Sequence, residues 1–187
     1  MDNKENRGKL QDIIDRSLLS ERKIFLWGQI DEKAAKHLIE RMLFLDSTGN
    51  DEIQFYISSP GGYVTAGFAI YDTMLSLNSP VSTICTGIAA SMASILLSAG
   101  AKGRRFIQPH AKVMIHQPSG GAQGQASNIE IQATEILKIK DLSAKILAKN
   151  CNQDYERVLK DFNRDYWMDA KESIEYGIVD EVIKKHK

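Results

Sequence analysis

Four segments of this chain carry residues that could do nucleophilic chemistry. The first is Thr86-Gly87-Ile88-Ala89-Ala90-Ser91-Met92-Ala93. An apolar strand runs into small residues, and a serine then opens an apolar helix. A helix start presents unpaired backbone N–H groups and partial positive charge, which favours a developing oxyanion. The small neighbours of Ser91 would let a substrate carbonyl approach. Ser91 also has a plainer explanation, since serine is among the preferred helix N-caps. The G-x-S-x-G elbow of α/β-hydrolases is absent from the sequence.

The second segment is Ser59-Pro60-Gly61-Gly62, between a strand and a helix. Two glycines there permit positive φ and close backbone approach, so the Gly62 N–H could serve as an oxyanion donor. An ordinary strand-to-helix turn reads the same way. The third is His116, at the end of the apolar strand Val113-Met114-Ile115, beside Gln117-Pro118 and the glycine-rich stretch Ser119–Gly124. A histidine so placed suits a general base, although a lone histidine is more often structural. The fourth is Asp165, in Asp161-Phe-Asn-Arg-Asp-Tyr-Trp167 at a helix end with aromatic cover. It could orient a histidine and stabilise its imidazolium, or simply pair with Arg164. The other histidines are weaker candidates: His37 in a helix, His110 after a turn proline, and His186 in a charged tail.

The elements that must position these groups follow from periodicity. Ile24–Gly28, Ile53–Ser58, Val81–Cys85, Lys112–Ile115 and Ile178–Ile183 read as strands. Helical spacing runs over Asp31–Leu45, with Asp31 as N-cap, and helices are predicted over Val64–Leu77 and Ser91–Ala99. Alternating strands and helices imply a parallel α/β sheet. Asn128–Asn150 forms one helix too long for a small domain, and such a helix protrudes or packs outside its own core. Asp169 and Glu172 form a capping box, with Gly177 as the stop. The polar start, through Gln11, is expected to be flexible. No linker or repeat divides residues 1–187, so a single domain is expected.

With 24 basic and 24 acidic residues the formal charge is zero, which offers no footprint for nucleic acid or an anionic membrane. Cys85 and Cys151 stand far apart, with no C-x-x-C and no metal-ligand spacing. Val81–Ala101 holds no charge over 21 residues, enough to span a bilayer. Six of those residues are Ser or Thr, and Gly87 and Gly100 interrupt the run. A buried strand, a turn and a buried helix are the better reading. The charged start, without an apolar stretch, points to the cytoplasm.

Taken together, the segments closely resemble the proteolytic subunit of the Clp protease over nearly the full length. The matching strings include Phe55-Tyr-Ile-Ser-Ser-Pro-Gly-Gly62, Ile70-Tyr-Asp-Thr-Met74, Ala89-Ala-Ser-Met92, Val113-Met-Ile-His-Gln-Pro118, Gly120-Gly-Ala-Gln-Gly-Gln125 and Arg164-Asp-Tyr166. The resemblance implies a crotonase-like α/β fold, with a handle over 119–150, assembled as two stacked seven-membered rings around a closed chamber. The family's nucleophile falls on Ser91, its base on His116 and its orienting carboxylate on Asp165. Its oxyanion-hole donors fall on the Gly62 and Met92 N–H groups. It implies a serine endopeptidase of protein quality control that needs no metal or cofactor. ATP is spent by a ring-shaped AAA+ unfoldase that feeds in unfolded polypeptides, and this chain has no G-x-x-x-x-G-K-[ST] loop.

Departures from the family pattern are few. Ala93 replaces a usual glycine, and Met1–Asn6 is short and polar where an apolar pore segment is usual. Gln54, Ser76 and Thr86 are polar at positions of an apolar docking pocket, where Tyr56 and Phe106 remain. Asn163 stands where an acidic residue usually pairs with the arginine of a subunit in the opposite ring, here Arg164. Two rival readings are a catalytically silent ring subunit and a crotonase-fold acyl-CoA enzyme. The first typically loses a triad residue, whereas all three types are present here. The second needs no Ser-His-Asp set.

Overall fold

Local capping fixes several element boundaries. Asp31 accepts from the Ala34 N–H and starts one helix. Asp169 and Glu172 close a reciprocal capping box at another, which Gly177 ends in the left-handed conformation. The computed structural model of the chain describes residues 2–121 and 123–183. Met1, Ala122 and residues 184–187, His186 among them, lie outside the described residues, so the expected flexible start, handle and domain are described without them.

The elements run α1 (Asp2–Ser20), β1 (Lys23–Trp27), α2 (Glu32–Thr48), β2 (Ile53–Ser59), α3 (Val64–Ser76), β3 (Val81–Ala90) and α4 (Met92–Ser98). They continue as β4 (Arg105–Ile107), β5 (Lys112–Ile115), α5 (Ala126–Cys151), α6 (Tyr155–Asp161), β6 (Tyr166–Met168), α7 (Ala170–Tyr176) and β7 (Glu181–Val182). Strands β1, β2, β3, β4 and β7 lie side by side in one parallel sheet. The fold is thus mixed α/β with a mainly parallel sheet, as expected.

Strand β3 forks this sheet. Its first half, Thr83–Cys85, pairs with β4, and its second half, Ile88–Ala90, pairs with β5. The strand changes partner at Gly87, whose φ is +79°, a conformation that glycine adopts at no steric cost. In the sequence alone, Thr86-Gly87 marks an end of this strand at Cys85. The chain instead stays extended to Ala90 and delivers Ser91.

Alternation in β2 buries Ile53, Phe55, Ile57 and Ser59 on one face. Helix α2 lays Ala35, Leu38, Met42 and Leu45 into the same core, and every residue of α4 is buried. The uncharged run Val81–Ala101 is therefore β3, a turn and α4, at the centre of the molecule. Among the described residues no helix is long and apolar enough to cross a membrane. Burying each large apolar side chain of this core contributes about 1.5–3 kcal/mol.

The segment over 1–11, expected to be flexible, falls instead in α1 from Asp2 onward. Its Lys, Glu, Arg, Gln and Leu residues favour helix, no proline interrupts it, and polarity alone does not exclude a helix. Asp15 of α1 lies 3.9 Å from Arg41 of α2, and Leu19 packs on the core. The expected long helix is present as α5, with 26 residues, and spans about 39 Å at 1.5 Å per residue. Its later part buries Ser143, Ala144, Leu147, Ala148 and Cys151, while Ile129, Ile131 and Leu137 stay exposed.

Candidate active site

Ser91 stands between β3 and α4 with φ +55° and ψ −126°. A non-glycine residue at positive φ costs on the order of 1–3 kcal/mol and persists only where its surroundings impose it. Here the Ser91 N–H donates to the Met114 carbonyl of β5 at 2.9 Å, which ties the turn to the sheet. Ser91 occupies the N-cap position of α4, yet its hydroxyl makes no capping bond. It lies instead 2.8 Å from His116 Nε2. The plainer explanation of Ser91 as a simple cap is therefore not what its side chain does.

The Ser59–Gly62 turn lies directly against this serine. Ser59, fully buried, accepts from the Gly61 N–H at 3.0 Å and tightens the turn. At Gly61, where φ is +94°, an added Cβ would stand 2.7 Å from both the Ala90 carbonyl and Ser91 Cβ. Only glycine lets the two turns meet so closely. Gly62 pairs with Ile30 as an isolated parallel bridge. Among the described hydrogen bonds, neither the Gly62 nor the Met92 N–H has an acceptor.

His116 follows β5, and Asp165 precedes β6. The antiparallel pairing of Ile115 with Tyr166 makes the next opposite pair His116 and Asp165. Asp165 Oδ1 lies 3.1 Å from His116 Nδ1. Asp165 pairs with this histidine, and among the described residues Arg164 makes no ion pair with it or any other carboxylate. The sheet thus aligns hydroxyl, imidazole and carboxylate in one line. Such a line can take a proton from the serine and stabilise the resulting imidazolium. His37 contacts Arg41 on α2, and His110 is exposed in a turn, so neither joins the cluster.

A recess of about 20 Å³ adjoins Ser91 and His116, walled by Val64, Met92, Ile95, Pro118, Phe162 and Ser143. Most of its walls are apolar, and it has room for little more than one water molecule. Cys85 and Cys151 are free and buried, and burial pushes both thiols up to about 12. Neither has the character of a nucleophile at neutral pH. Among the described residues no group of three or more His, Cys, Asp or Glu could hold a metal ion.

The Clp protease family model matches residues 4–186. This chain belongs to the Clp protease family. Membership places it among Clp-type peptidases.

Against the family pattern, its departures now have positions. Phe25, Tyr56, Ile84 and Phe106 form one row across β1, β2, β3 and β4. Tyr56 stacks on Phe25 with ring centroids 5.1 Å apart, and its hydroxyl donates to Gln54 Oε1 at 3.2 Å. Ser76 bonds back to the Thr73 carbonyl, and the Thr86 hydroxyl is buried without a partner among the described residues. Asn163 is engaged within its own subunit: the Gln117 side chain donates to it. Sequence reasoning passed over Gln117 because nothing in its spacing ties it to residue 163. Ser143 escaped for the same reason, as one polar residue in a long helix.

Proposed function

We propose that this Clp-type peptidase is a serine endopeptidase with Ser91 as nucleophile, His116 as general base and Asp165 as orienting carboxylate. The observation that carries the reading is the continuous contact from Ser91 Oγ to His116 Nε2 at 2.8 Å and from His116 Nδ1 to Asp165 at 3.1 Å. His116, protonated on Nδ1 toward Asp165, takes the Ser91 proton on Nε2 as Oγ attacks a peptide carbonyl. The oxyanion settles on the Gly62 and Met92 N–H groups, which have no acceptor of their own among the described residues. His116 then protonates the leaving amine, and an acyl-enzyme remains. Water, deprotonated by the same imidazole, releases the acid.

The reading extends to assembly. Exposed Ile129, Ile131 and Leu137 on α5 supply apolar surface for a handle between two stacked seven-membered rings. Inside such a chamber only unfolded chains, delivered by an ATP-driven AAA+ unfoldase, reach Ser91. Asn163 and Arg164 would lie where the rings meet. The cytoplasm is the expected setting.

Labelling with a fluorophosphonate, read by mass spectrometry, tests the assignment directly. The reagent should modify Ser91 and abolish cleavage of short peptides in proportion. Full peptidase activity in protein whose Ser91 is fully labelled would overturn it.

A further inference from the structure

We infer that Gln117 is a positioning residue for the proposed triad: its amide holds the loop that carries Asp165 in reach of His116. This rests on the assignment of Asp165 to His116 and extends it to a residue outside the triad. Asp165 sits in a short loop between α6 and β6, and its side chain is 60% exposed. Little packing can fix it there, so something else must. Phe162 and Asn163 bond back to Val158 and Lys160 at the end of α6, and three bonds from Gln117 tie the loop to the histidine segment. The Gln117 backbone N–H donates to the Phe162 carbonyl at 2.6 Å. Its side-chain Nε2 donates to the Asn163 carbonyl at 3.0 Å and to Asn163 Oδ1 at 3.3 Å. The amide carries two N–H groups, one for each acceptor. A backbone carbonyl can only accept, so the Gln117 amide must present its nitrogen, not its oxygen, to this loop.

Gln117 adjoins His116, and Asn163 stands two residues before Asp165. The bonds therefore tie the histidine segment to the carboxylate segment just beyond the end of the β5–β6 ladder. The ladder itself spans only Val113–Ile115 against Tyr166–Met168. Phe162, 2% exposed and a wall of the recess beside Ser91, anchors the same loop from below. Without the Gln117 donors, the exposed loop would keep Asp165 near His116 for only part of the time. Asn163 thus has a role inside its own subunit, whatever it meets in an assembly.

The test replaces Gln117 with side chains of similar size that lack the donor. Gln117→Glu and Gln117→Met should lower kcat for a short peptide by about tenfold while KM stays within about twofold, because substrate contacts are unchanged. Asn163→Ala, which removes one of the two acceptors, should cost less. The double variant should fall short of the product of the two losses, as coupled partners do. Sedimentation should match the wild type. A second readout does not depend on cleavage: the His116 Nδ1 proton bound to a carboxylate gives a far-downfield proton resonance, which should weaken or vanish in Gln117→Glu. Wild-type kcat with an unchanged downfield signal in both Gln117 variants would overturn the inference. So would a loss confined to KM, or one explained by a changed assembly. Absence of Ser91 labelling in the wild type would instead sink the nucleophile assignment, while the downfield signal still decides the role of Gln117.

Discussion

The two sides of the candidate site are built from different material. Ser91 and His116 hang from adjacent, buried, parallel strands, β3 and β5, and the Ser91 N–H is itself bonded to β5. Asp165 hangs from an exposed loop held by Gln117 and by the single buried ring of Phe162. The Ser91–His116 distance is thus a property of the sheet, fixed by the core that folds the protein. The His116–Asp165 distance is a property of a surface loop and can vary without unfolding anything. On the proposed mechanism, the side that would form and break bonds is fixed by the sheet, and the side that would tune it is adjustable.

The contrast can be broken at its strongest point first. Ser91→Ala should cut peptide cleavage by about 10³-fold or more. It should leave the melting temperature nearly unchanged, because no capping bond is lost. Activity assays beside differential scanning calorimetry check both halves. Asp165→Ala comes next, at about 10²–10⁴-fold in kcat, with stability again little affected because the side chain is exposed. An equal loss of stability in that variant would mean the loop is part of the core after all.

Gly61→Ala attacks the rigid side through its packing. The added methyl group meets backbone, the Ala90 carbonyl, and forces a strained φ. It should cost about 1–3 kcal/mol of stability, seen in urea denaturation, and lower kcat by displacing Ser91.

Asp180→Ala probes the core far from either side. Arg105, 6% exposed, is held by Asp180 and by the Asn150 and Gly177 carbonyls. Removing Asp180 leaves a buried guanidinium without its counter-charge, at about 2–4 kcal/mol, and should spare kcat at low temperature. The pH dependence has a definite sign. Burial opposes the Asp180 charge, but the bonds from Arg105 outweigh it and hold the carboxyl below its ordinary range. This contribution is fully present above the unfolded value of about 3.9 and is lost as pH falls through the lower folded value. Acid denaturation curves of wild type and Asp180→Ala should therefore converge at low pH.

The smallest effect is expected from Asn163→Asp. A carboxylate there still accepts from Gln117 and adds a charge beside Arg164. Charge-assisted contacts are about twice as strong as neutral ones. In the proposed double ring the variant should shift sedimentation toward the full assembly at low salt, and the gain should shrink at high salt. An unchanged profile at low salt would remove Asn163 from any contact between rings.

Much of the fold could be read in the sequence because its signals are local. Asp31, the Asp169–Glu172 box and Gly177 mark helix ends with their own side chains or backbone. The alternation of β2 and the long stripe of α5 are likewise visible without a partner. What escaped is non-local. Strands β4 and β6 have three residues each and exist only because β3 and β5 offer edges to them. The full length of β3 escaped because Gly87 looks like a stop when its two successive partners are unseen. The four site segments stand out by residue type and position, but each alone has a bland explanation. Only the sheet brings Ser91, His116 and Asp165 into line, and only the loop geometry brings in Gln117.

The strained turn at Ser91 has a consequence for the birth of the protein. The turn is held by a bond to a strand that has not yet been made when Ser91 is added to the chain. His116 follows 25 residues later, and Asp165 a further 49 after that. At about 5–20 residues per second, roughly 4–15 s separate the serine from its carboxylate. Until Met114 is made nothing compels Ser91 into its unfavourable backbone conformation, and until Asp165 follows no carboxylate orients the imidazole beside it. On the proposed assignment, a nascent chain would therefore carry its serine disarmed until the rest of the site has been made.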